Sequence, residues 1–384
     1  MVTAGKLPAV LELVAIDLPG GPAFVAALLA AWDRSDAVLP VDQRLSSAAK
    51  SAVLQQLGPT LVEGPGGRSR QPGGRPVDPG DALVMATSGT TGAAKGVVLT
   101  HGAVAASARA TSRRLGVDPD RHRWLACIPL NHVGGLSVVT RSLLTNTPVT
   151  VLPVFDADEV RSHSGPDVLV SLVRTALQRT GAGLFHTVLL GGSAPPPNLA
   201  ANVVTTYGLT ESGSGVVYDG VPLDGVEVAI DPDSHEIKLR GPMLLRCYRD
   251  GTVPFDDQGW FPTGDSGHLD ATGKLVVDGR ASELIITGGE NVWPSVVEAA
   301  LSSHRGVAAV FVAGRPDPEW GQKVVAWVVP VDPADPPSLP ALRETVSERV
   351  APYAAPRELV IVGALPRTSI GKVDRNRLSD LPSP

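Results

Sequence analysis

One segment of the chain, MATSGTTGAAKGV at residues 85–97, concentrates glycines, hydroxyl side chains and a lysine directly after an apolar run. Its glycines allow close approach and unusual backbone angles, its hydroxyls donate hydrogen bonds, and Lys95 adds a positive charge. Such a loop suits a polyphosphate. It is not a Walker A loop, because Gly96 and Val97 follow Lys95 where that motif requires Ser or Thr. A flexible Gly/Thr connection is the alternative interpretation.

A second polar group is TYGLTE at residues 206–211. Tyr207 has a flat face on which an adenine can stack, and Glu211 is a carboxylate suited to Mg²⁺ beside phosphates. Gly208 and Thr210 lie between them. A packed tyrosine and a solvated glutamate are the alternatives for each residue alone.

Five further positions are chemically suggestive, but each has an ordinary explanation. Gly192 and Ser193 follow an apolar run at 187–190, where ligands bind in open α/β sheets, although a simple turn fits equally. Asp265 follows a glycine and can accept both ribose hydroxyls, or can simply form a turn. His132 precedes a Gly-Gly pair and by default is a loop histidine. Lys372 lies in a polar loop, where most lysines are solvated.

Taken in order, these segments resemble the signatures of the adenylate-forming superfamily, which includes acyl-CoA synthetases, peptide-synthetase adenylation domains and luciferases. Besides residues 85–97, six further segments match: PLNHVGG at 129–135, TYGLTE at 206–211, GWFPTGD at 259–265, DGR at 278–280, TGGEN at 287–291 and PRTSIGK at 366–372. The resemblance covers about residues 81–377.

The resemblance implies an enzyme that uses ATP, Mg²⁺ and coenzyme A to activate a small carboxylic acid as its acyl-adenylate. It implies that Lys372 contacts the carboxylate and α-phosphate oxygens, that His132 gates the acyl and pantetheine channels, and that Glu211 holds the metal. The nucleotide-binding positions that it implies are Thr87, Ser88, Gly89, Thr90, Thr91, Gly92, Lys95, Gly192, Ser193, Tyr207, Gly208, Thr210, Asp265 and Arg280.

The acid is indicated by three less diagnostic segments and by a short stretch before Asp81. VVTTYGLTE at 203–211, GVVYDGVPLDG at 215–225 and GRPDPEWGQ at 314–322 resemble the compact actinobacterial 2-succinylbenzoate–CoA ligases of menaquinone biosynthesis. Two positions depart from the family pattern: Ala354 replaces a common lysine and Arg174 a common proline. Arg174 could pair with a second substrate carboxylate, or could be an exposed arginine at a helix start.

Three functions therefore stay under consideration. The first is the 2-succinylbenzoate–CoA ligase or another aryl- or fatty-acid–CoA ligase, and the second is a free-standing adenylation enzyme that loads a phosphopantetheine carrier. The third, a non-catalytic nucleotide-binding module, is disfavoured because every matched polar position carries a usable group.

The elements that must position these residues follow from hydrophobic patterns. Apolar runs alternate with helical patterns at 102–115 and 136–144, which predicts βαβ units in a mostly parallel sheet. These runs are 82–87, 124–130, 149–152, 168–172 and 188–190. After Tyr207, period-2 segments at 225–230, 235–241 and 273–279 predict a small antiparallel β subdomain.

The C-terminal part predicts a smaller α+β domain. A helix opened by Pro294 carries Val297, Ala300 and Leu301 on one face, and strands at 307–313, 324–329 and 358–362 flank a helix near 339–350. A chain of 384 residues exceeds the usual size of one core. We predict an α/β protein with a large domain at 1–278 and a small mobile domain at 279–384, which by resemblance rotates about Asp278 or Gly279.

Composition narrows the partners and the location. The formal net charge is −6 with no basic run, so nucleic acid is an unexpected partner. Glu12 and Asp17 interrupt the N-terminal apolar stretch, which excludes a secretory signal or membrane span and predicts a cytoplasmic protein. Cys127 and Cys247 are expected to be buried apolar residues. Residues 63–79 predict a surface loop, or else a lid. A homodimer is a family-level expectation.

Overall fold

The computed structural model describes residues 10–88, 94–196, 198–366, 373 and 378. The chain divides into two compact units, one made of residues 1–228 with 239–262 and the other of residues 229–238 with 263–384. The domain boundary predicted between residues 278 and 279 stays a prediction, and so does the domain rotation predicted there.

Strands dominate the described residues. They are β1 Leu13–Ile16, β2 Ala37–Pro40, β3 Leu61–Gly64, β4 Gly67–Arg70, β5 Asp81–Ser88, β6 Ala94–Thr100, β7 Arg123–Ala126, β8 Val149–Val151, β9 Gly165–Leu172, β10 Phe185–Leu190, β11 Val203–Leu209, β12 Ser214–Tyr218, β13 Val221–Pro222, β14 Glu227–Ile230, β15 Glu236–Arg240, β16 Cys247–Tyr248, β17 Phe261–Leu269, β18 Leu275–Arg280, β19 Ile285–Thr287, β20 Glu290–Val292, β21 Val307–Asp317, β22 Gly321–Pro330 and β23 Glu358–Ile361.

Helices cover or follow these strands. They are α1 Pro22–Trp32, α2 Ser47–Leu57, α3 His101–Arg114, α4 Val133–Thr145, α5 Ala157–Ser162, α6 Arg174–Thr180, α7 Pro294–Leu301 and α8 Leu339–Arg349. Their ends have local causes. Thr100 caps α3 by accepting a hydrogen bond from the backbone N–H of Ala103 at 3.1 Å, and Gly58 ends α2 in a left-handed conformation. None of the described helices is long and apolar enough to cross a membrane.

The first seven-stranded sheet has the order β16-β6-β5-β2-β1-β3-β4. The strands β1, β2, β3 and β5 run parallel, whereas β5 and β6 form an antiparallel pair around the glycine-rich segment. The loop predicted over 63–79 is wrong in part, because β3 and β4 form a hairpin in which Gly64 pairs with Gly67. All four residues of β4 are exposed and polar or glycine, so the strand has no apolar alternation to detect.

The second seven-stranded sheet has the order β13-β12-β11-β10-β9-β7-β8. Its strands β7 to β11 run parallel, which confirms the predicted parallel arrangement, and β7, β9 and β10 are largely buried. The carboxyl ends of parallel strands meet at one edge of a sheet. That edge therefore carries the segments that begin at Cys127, Val173 and Gly191. Both Cys127 and Cys247 are buried free thiols, as expected, and burial raises the pKa of Cys127 to about 12.

A four-stranded sheet has the order β14-β15-β17-β18, in which β17 and β18 pair antiparallel, as the period-2 segments predict. In the second unit, a further sheet has the order β20-β19-β22-β21 with β23 beside β22. Helix α7 buries Pro294, Val297, Ala300 and Leu301, so the predicted face is confirmed.

Helix α4 starts against the segment that follows β7. A Cβ atom added to Gly135 would lie 2.4 Å from the carbonyl oxygen of Ile128 and 2.6 Å from that of Pro129. The neighbouring Gly134 has no heavy atom within 4 Å of the same construction. The helix can therefore approach the strand end only with glycine at position 135.

We predict that Gly135→Ala lowers the free energy of unfolding by about 1–3 kcal/mol, because the added methyl group overlaps two backbone oxygens that cannot rotate away. Gly134→Ala is the matched control and should be neutral or stabilising by up to ~1 kcal/mol through its higher helix propensity. Urea unfolding of both variants measures the difference. Equal stability of the two variants would show that α4 adjusts to the methyl group.

Candidate active site

The glycine-rich segment lies between two antiparallel strands of the first unit. Thr87 pairs with Lys95 across β5 and β6, and its hydroxyl donates to the Lys95 carbonyl oxygen at 3.4 Å. Gly96 is needed for packing, since an added Cβ atom would lie 2.8 Å from the Cβ of Arg249. For Ser88, the structure describes the strand backbone only. The remaining four, Gly89, Thr90, Thr91 and Gly92, lie outside the described residues.

Tyr248 links the lysine of this segment to the predicted metal ligand. Strand β16 pairs with β6, which sets the exposed Lys95 ammonium 5.2 Å from the centre of the Tyr248 ring. The Tyr248 hydroxyl donates to Glu211 Oε1 at 3.1 Å. Lys95, Tyr248 and Glu211 therefore form one continuous chain of contacts, although Glu211 and Tyr248 are 37 positions apart in sequence and Lys95 lies farther still from both. Sequence reasoning missed Tyr248 because no local spacing connects it to Glu211.

Glu211 is held at the end of β11 by its backbone. It lies in the 3-10 turn Thr210–Ser212, and its carbonyl oxygen accepts from the backbone N–H of Leu245 at 2.7 Å. The buried Ser212 hydroxyl closes the turn by donating to the carbonyl oxygen of Ser214 at 2.8 Å. These contacts fix the backbone position from which the half-buried Glu211 side chain extends.

The donor set around Glu211 fits Mg²⁺ better than a transition metal. Among the described residues, no group of three or more His, Cys, Asp and Glu side chains could hold a metal ion. A nucleotide-bound Mg²⁺ needs only one or two protein carboxylates, because phosphates and water supply its other oxygens. Tyr248 donates to Oε1 of Glu211, so Oε2 can face a cation.

Tyr207 and Gly208 end strand β11. Tyr207 is half-buried and pairs with Val217 of β12. An added Cβ atom on Gly208 would lie 2.1 Å from the carbonyl oxygen of Ser214, so only glycine lets the two strands approach there. Tyr207, Gly208, Thr210 and Glu211 therefore lie at one strand end, and their roles stay predictions.

The carboxyl ends of β9 and β10 lie side by side. The backbone N–H of Gly191 donates to the carbonyl oxygen of Leu172 at 3.2 Å, and an added Cβ atom on Gly192 would lie 3.7 Å from Val173. Gly192 has a φ of +83°, and Ser193 is exposed. Arg174 begins α6 directly after Val173 and is half-buried. The predicted Gly192, Ser193 and Arg174 therefore share this edge.

His132 is contacted by an arginine that sequence reasoning missed. His132 occupies the N-cap position of α4, and its Nε2 lies 3.0 Å from Nη2 of Arg44. Arg44 in turn donates to both carboxylate oxygens of Asp42 at 2.8 Å. Burial raises the pKa of Asp42, but hydrogen bonds from Arg44 outweigh burial and hold that pKa below its ordinary value. No sequence signal connects residues 88 positions apart.

The second unit brings Asp265 and Arg280 together. The two residues pair across β17 and β18, and Arg280 Nε lies 2.8 Å from Asp265 Oδ1. Gly264 has a φ of +71°, and the backbone N–H of Asp265 donates to the Thr263 hydroxyl at 3.1 Å. The Asp265 carboxylate is thus an acceptor held within strand β17, not in the turn that the sequence suggests, with Arg280 beside it.

Two further matched segments lie in this unit. TGGEN at 287–291 is a hairpin turn whose Gly288 and Gly289 have φ of +60° and +85°, as a two-residue type I′ turn requires. The carbonyl oxygen of Asp278 accepts from the Ser295 hydroxyl at 2.7 Å. Lys372 lies outside the described residues.

Comparisons with known proteins agree with these matches. The chain matches the model of AMP-binding enzymes over residues 65–248 and that of the AMP-binding enzyme C-terminal domain over residues 296–372. A probable 2-succinylbenzoate–CoA ligase of Mycobacterium tuberculosis is 40% identical over 367 residues, which cover 89% of this chain and 94% of the relative. The chain belongs to the AMP-binding enzyme family.

Other relatives of this AMP-binding enzyme carry the same name. A 2-succinylbenzoate–CoA ligase of Listeria monocytogenes is 36% identical over 331 residues, covering 78% of this chain and 70% of the relative. The solved o-succinylbenzoate CoA synthetase (MenE) of Bacillus subtilis, in complex with the acyl-adenylate intermediate OSB-AMP, has a TM-score of 0.84 at 28% identity. The match covers 97% of this chain and 89% of that structure. The predicted family and α/β fold class are confirmed.

We predict that Glu211→Gln raises the Mg²⁺ concentration needed for half-maximal pyrophosphate release by about tenfold or more, because the amide removes a negative charge beside the phosphates. Tyr248→Phe should shift it in the same direction but less, since the carboxylate stays and loses only one donor. The measurement is pyrophosphate release at fixed ATP across a Mg²⁺ titration.

Glu227→Gln is the control for this pair of variants, because Glu227 belongs to the same unit and pairs with the exposed Arg240. It should leave the Mg²⁺ dependence unchanged. If Glu211→Gln matched Glu227→Gln, Glu211 would be excluded as a metal ligand.

Proposed function

We propose that this AMP-binding enzyme ligates 2-succinylbenzoate to coenzyme A through an acyl-adenylate, with release of AMP and pyrophosphate, in menaquinone biosynthesis. The observation that carries the proposal is the 40% identity to a ligase of that name over 94% of its length. ATP and Mg²⁺ as cofactors are supported by the Bacillus subtilis relative, which has been solved in complex with both.

The first step makes the acid reactive. A carboxylate oxygen of the acid bonds to the α-phosphorus of ATP, and the bond to pyrophosphate breaks. Negative charge develops on the phosphate oxygens, so positioned hydrogen-bond donors and cations lower the barrier. No covalent enzyme nucleophile is needed. Lys95, Thr87 and the residues between them supply such donors on the first unit, and Lys372 is proposed to supply another at the α-phosphate. Mg²⁺, held by Glu211, would neutralise phosphate charge.

The second step transfers the acyl group. The thiol of coenzyme A attacks the acyl carbon, the carbon–oxygen bond to AMP breaks, and the thioester forms. His132, at the N-terminus of α4, is proposed to gate the channels for acyl group and pantetheine. We further propose that the C-terminal domain rotates about Asp278 or Gly279 between the steps, which would exchange the residues that face the reacting atoms.

The nucleotide itself is proposed to bind through residues that the family resemblance implies. Tyr207 offers a ring face to adenine, and Gly192 and Ser193 at the end of β10 offer backbone and hydroxyl groups. Asp265 is proposed to accept the ribose hydroxyls, a role supported by its fixed place in β17 and by Arg280, whose Nε lies 2.8 Å from the carboxylate.

A second carboxylate distinguishes 2-succinylbenzoate from monocarboxylic acids, and Arg174 is our candidate partner for it. Arg174 is half-buried at the edge shared with Gly192, and none of the carboxylates in the described part of the chain pairs with it. An arginine that meets a carboxylate forms a charge-assisted and often bidentate pair. The alternative, an arginine that only begins α6, remains for experiment to decide.

Other activities of the same chemistry are the competing proposals. They are ligation of another aryl or fatty acid to coenzyme A, and loading of an acid onto a phosphopantetheine carrier protein. A homodimer and a cytoplasmic location also stay predictions. A pyrophosphate-release screen of acids with coenzyme A or a carrier protein as acceptor separates these activities.

We predict that 2-succinylbenzoate is turned over far better than benzoate, succinate or medium-chain fatty acids. Arg174→Ala should raise the Michaelis constant for 2-succinylbenzoate about 10- to 100-fold, as expected for loss of a charge-assisted pair, and leave that for ATP nearly unchanged. Arg179→Ala, at the other end of the same helix, is the matched control.

A preference for a monocarboxylate would overturn the substrate and leave the adenylation chemistry standing. An unaffected Arg174→Ala would instead remove Arg174 from the acyl pocket while leaving the substrate intact.

We predict that Lys372→Ala abolishes adenylation but largely spares thioester formation from supplied acyl-adenylate, because the lysine is proposed to act only at the α-phosphate. Pyrophosphate release measures the first half-reaction and thioester absorbance the second. The exposed Lys274→Ala is the control. Equal loss of both half-reactions would contradict the proposed role.

A further inference from the structure

The contact between Arg44 and His132 constrains the chemistry of the histidine. Nη2 of Arg44 carries two hydrogen atoms, and it has two acceptors in the first unit: Asp42 Oδ2 at 2.8 Å and His132 Nε2 at 3.0 Å. A guanidinium group only donates hydrogen bonds and stays charged at any physiological pH. Nε2 of His132 must therefore accept, and the ring proton must lie on Nδ1.

Asp42 keeps the arginine in this position. Its carboxylate is buried, with 8% of the side chain exposed, and it accepts hydrogen bonds from the backbone N–H of Arg44 at 2.9 Å and from Nε at 2.8 Å. Together with the Nη2 contact, these bonds leave the guanidinium little rotational freedom. The anion that holds Arg44 is thus itself fixed, two residues earlier in the same loop after β2.

The N-terminus of α4 acts in the same direction. His132 caps a helix of 13 residues, and the positive end of a helix dipole disfavours an additional positive charge. Both the helix and the guanidinium therefore favour a neutral imidazole. The Asp42 carboxylate also interacts electrostatically with His132 and favours the charged form, but Arg44 donates to both groups and occupies Nε2. A histidine held in this state donates through Nδ1–H and cannot take a proton at Nε2 while Arg44 is bound there.

We propose that Arg44 is a positioning residue that fixes His132 as the neutral Nδ1–H tautomer, so that His132 serves the reaction as a hydrogen-bond donor and orienting group, not as a general base through Nε2. The functional part of this inference rests on the proposed role of His132 in the ligase. The coenzyme A thiol then loses its proton to solvent or to another group.

The test measures the tautomer directly in protein without substrates. Histidine labelled with ¹⁵N distinguishes protonated from unprotonated ring nitrogens by NMR, and His132→Gln identifies the signals of His132 among the eight histidines. We expect a protonated Nδ1 and an unprotonated, hydrogen-bonded Nε2 in the unmodified protein. In Arg44→Met we expect a mixture of tautomers and a roughly 10- to 100-fold slower thioester half-reaction, with the Michaelis constant for ATP unchanged.

The chain contains a matched control for the loss of an arginine. Arg34 pairs with the buried Asp36 at 3.0 Å, and the side-chain exposures of 43% and 5% are close to the 41% and 8% of Arg44 and Asp42. Arg34→Met therefore reproduces the loss of a cation beside a buried carboxylate, without a histidine. It should lower stability similarly and leave the His132 signals and the thioester step unchanged.

Arg44→Lys covers the case in which Arg44→Met does not fold. Lysine retains a charge for Asp42 but lacks the planar group that reaches two acceptors, so the tautomer mixture should persist in a folded protein. An unprotonated Nδ1 in the unmodified protein, or an unchanged tautomer in Arg44→Lys, would overturn the proposal. Because the NMR measurement needs no substrate, it stands apart from any failure of the proposed function.

Discussion

The attachment of one short strand, β16, is the constraint on which the first unit's candidate site depends. Arginines on both sides of Tyr248 fasten it. Arg246 donates to both oxygens of the buried Asp81 at 2.8 and 2.9 Å, and Arg249 donates to backbone carbonyl oxygens of the segments around Leu57 and Pro76. The hydrogen bonds that Arg246 donates to Asp81 raise the pKa of Arg246, so the anchor is charged under all ordinary conditions. Without it, Tyr248 would reach neither Lys95 nor Glu211.

Several motif glycines act through the same kind of packing. Gly96, Gly135 and Gly208 each occupy a place where a Cβ atom would lie within 2.8 Å of a neighbouring atom. Their first role is therefore to let elements approach, and the positions of Lys95, His132 and Glu211 follow from that approach. In this fold, glycine sets the backbone path, and a polar residue predicted to act in the site lies beside it or a few residues away.

Local hydrophobic patterns in the sequence predict the elements that carry them. The parallel strands of the second sheet and the buried face of α7 have clear periodicity, and both are confirmed. The apolar run at 124–130 forms a strand only as far as Ala126. The exposed strand β4 has no periodicity and was missed.

Residues that meet their site partners only through long-range contacts also cannot be predicted from the sequence. Tyr248 and Arg44 each meet their site partner across tens of residues, by a pairing of strands or by a loop beside a helix end. Neither has a neighbour in sequence that marks it, because an isolated tyrosine or arginine is usually a surface residue. Only the fold shows which of these side chains meets a motif residue.

The cationic side chains at the candidate site of the first unit differ in the groups that they already contact. Lys95 faces the Tyr248 ring, and Arg44 divides its donors between Asp42 and His132. Arg174 has no carboxylate partner among the described residues, although it is half-buried. A partly desolvated guanidinium without a counter-ion is costly unless a ligand supplies the charge. This asymmetry, more than the position of Arg174 after β9, is the physical reason to connect it with a substrate that keeps one carboxylate after the other is activated.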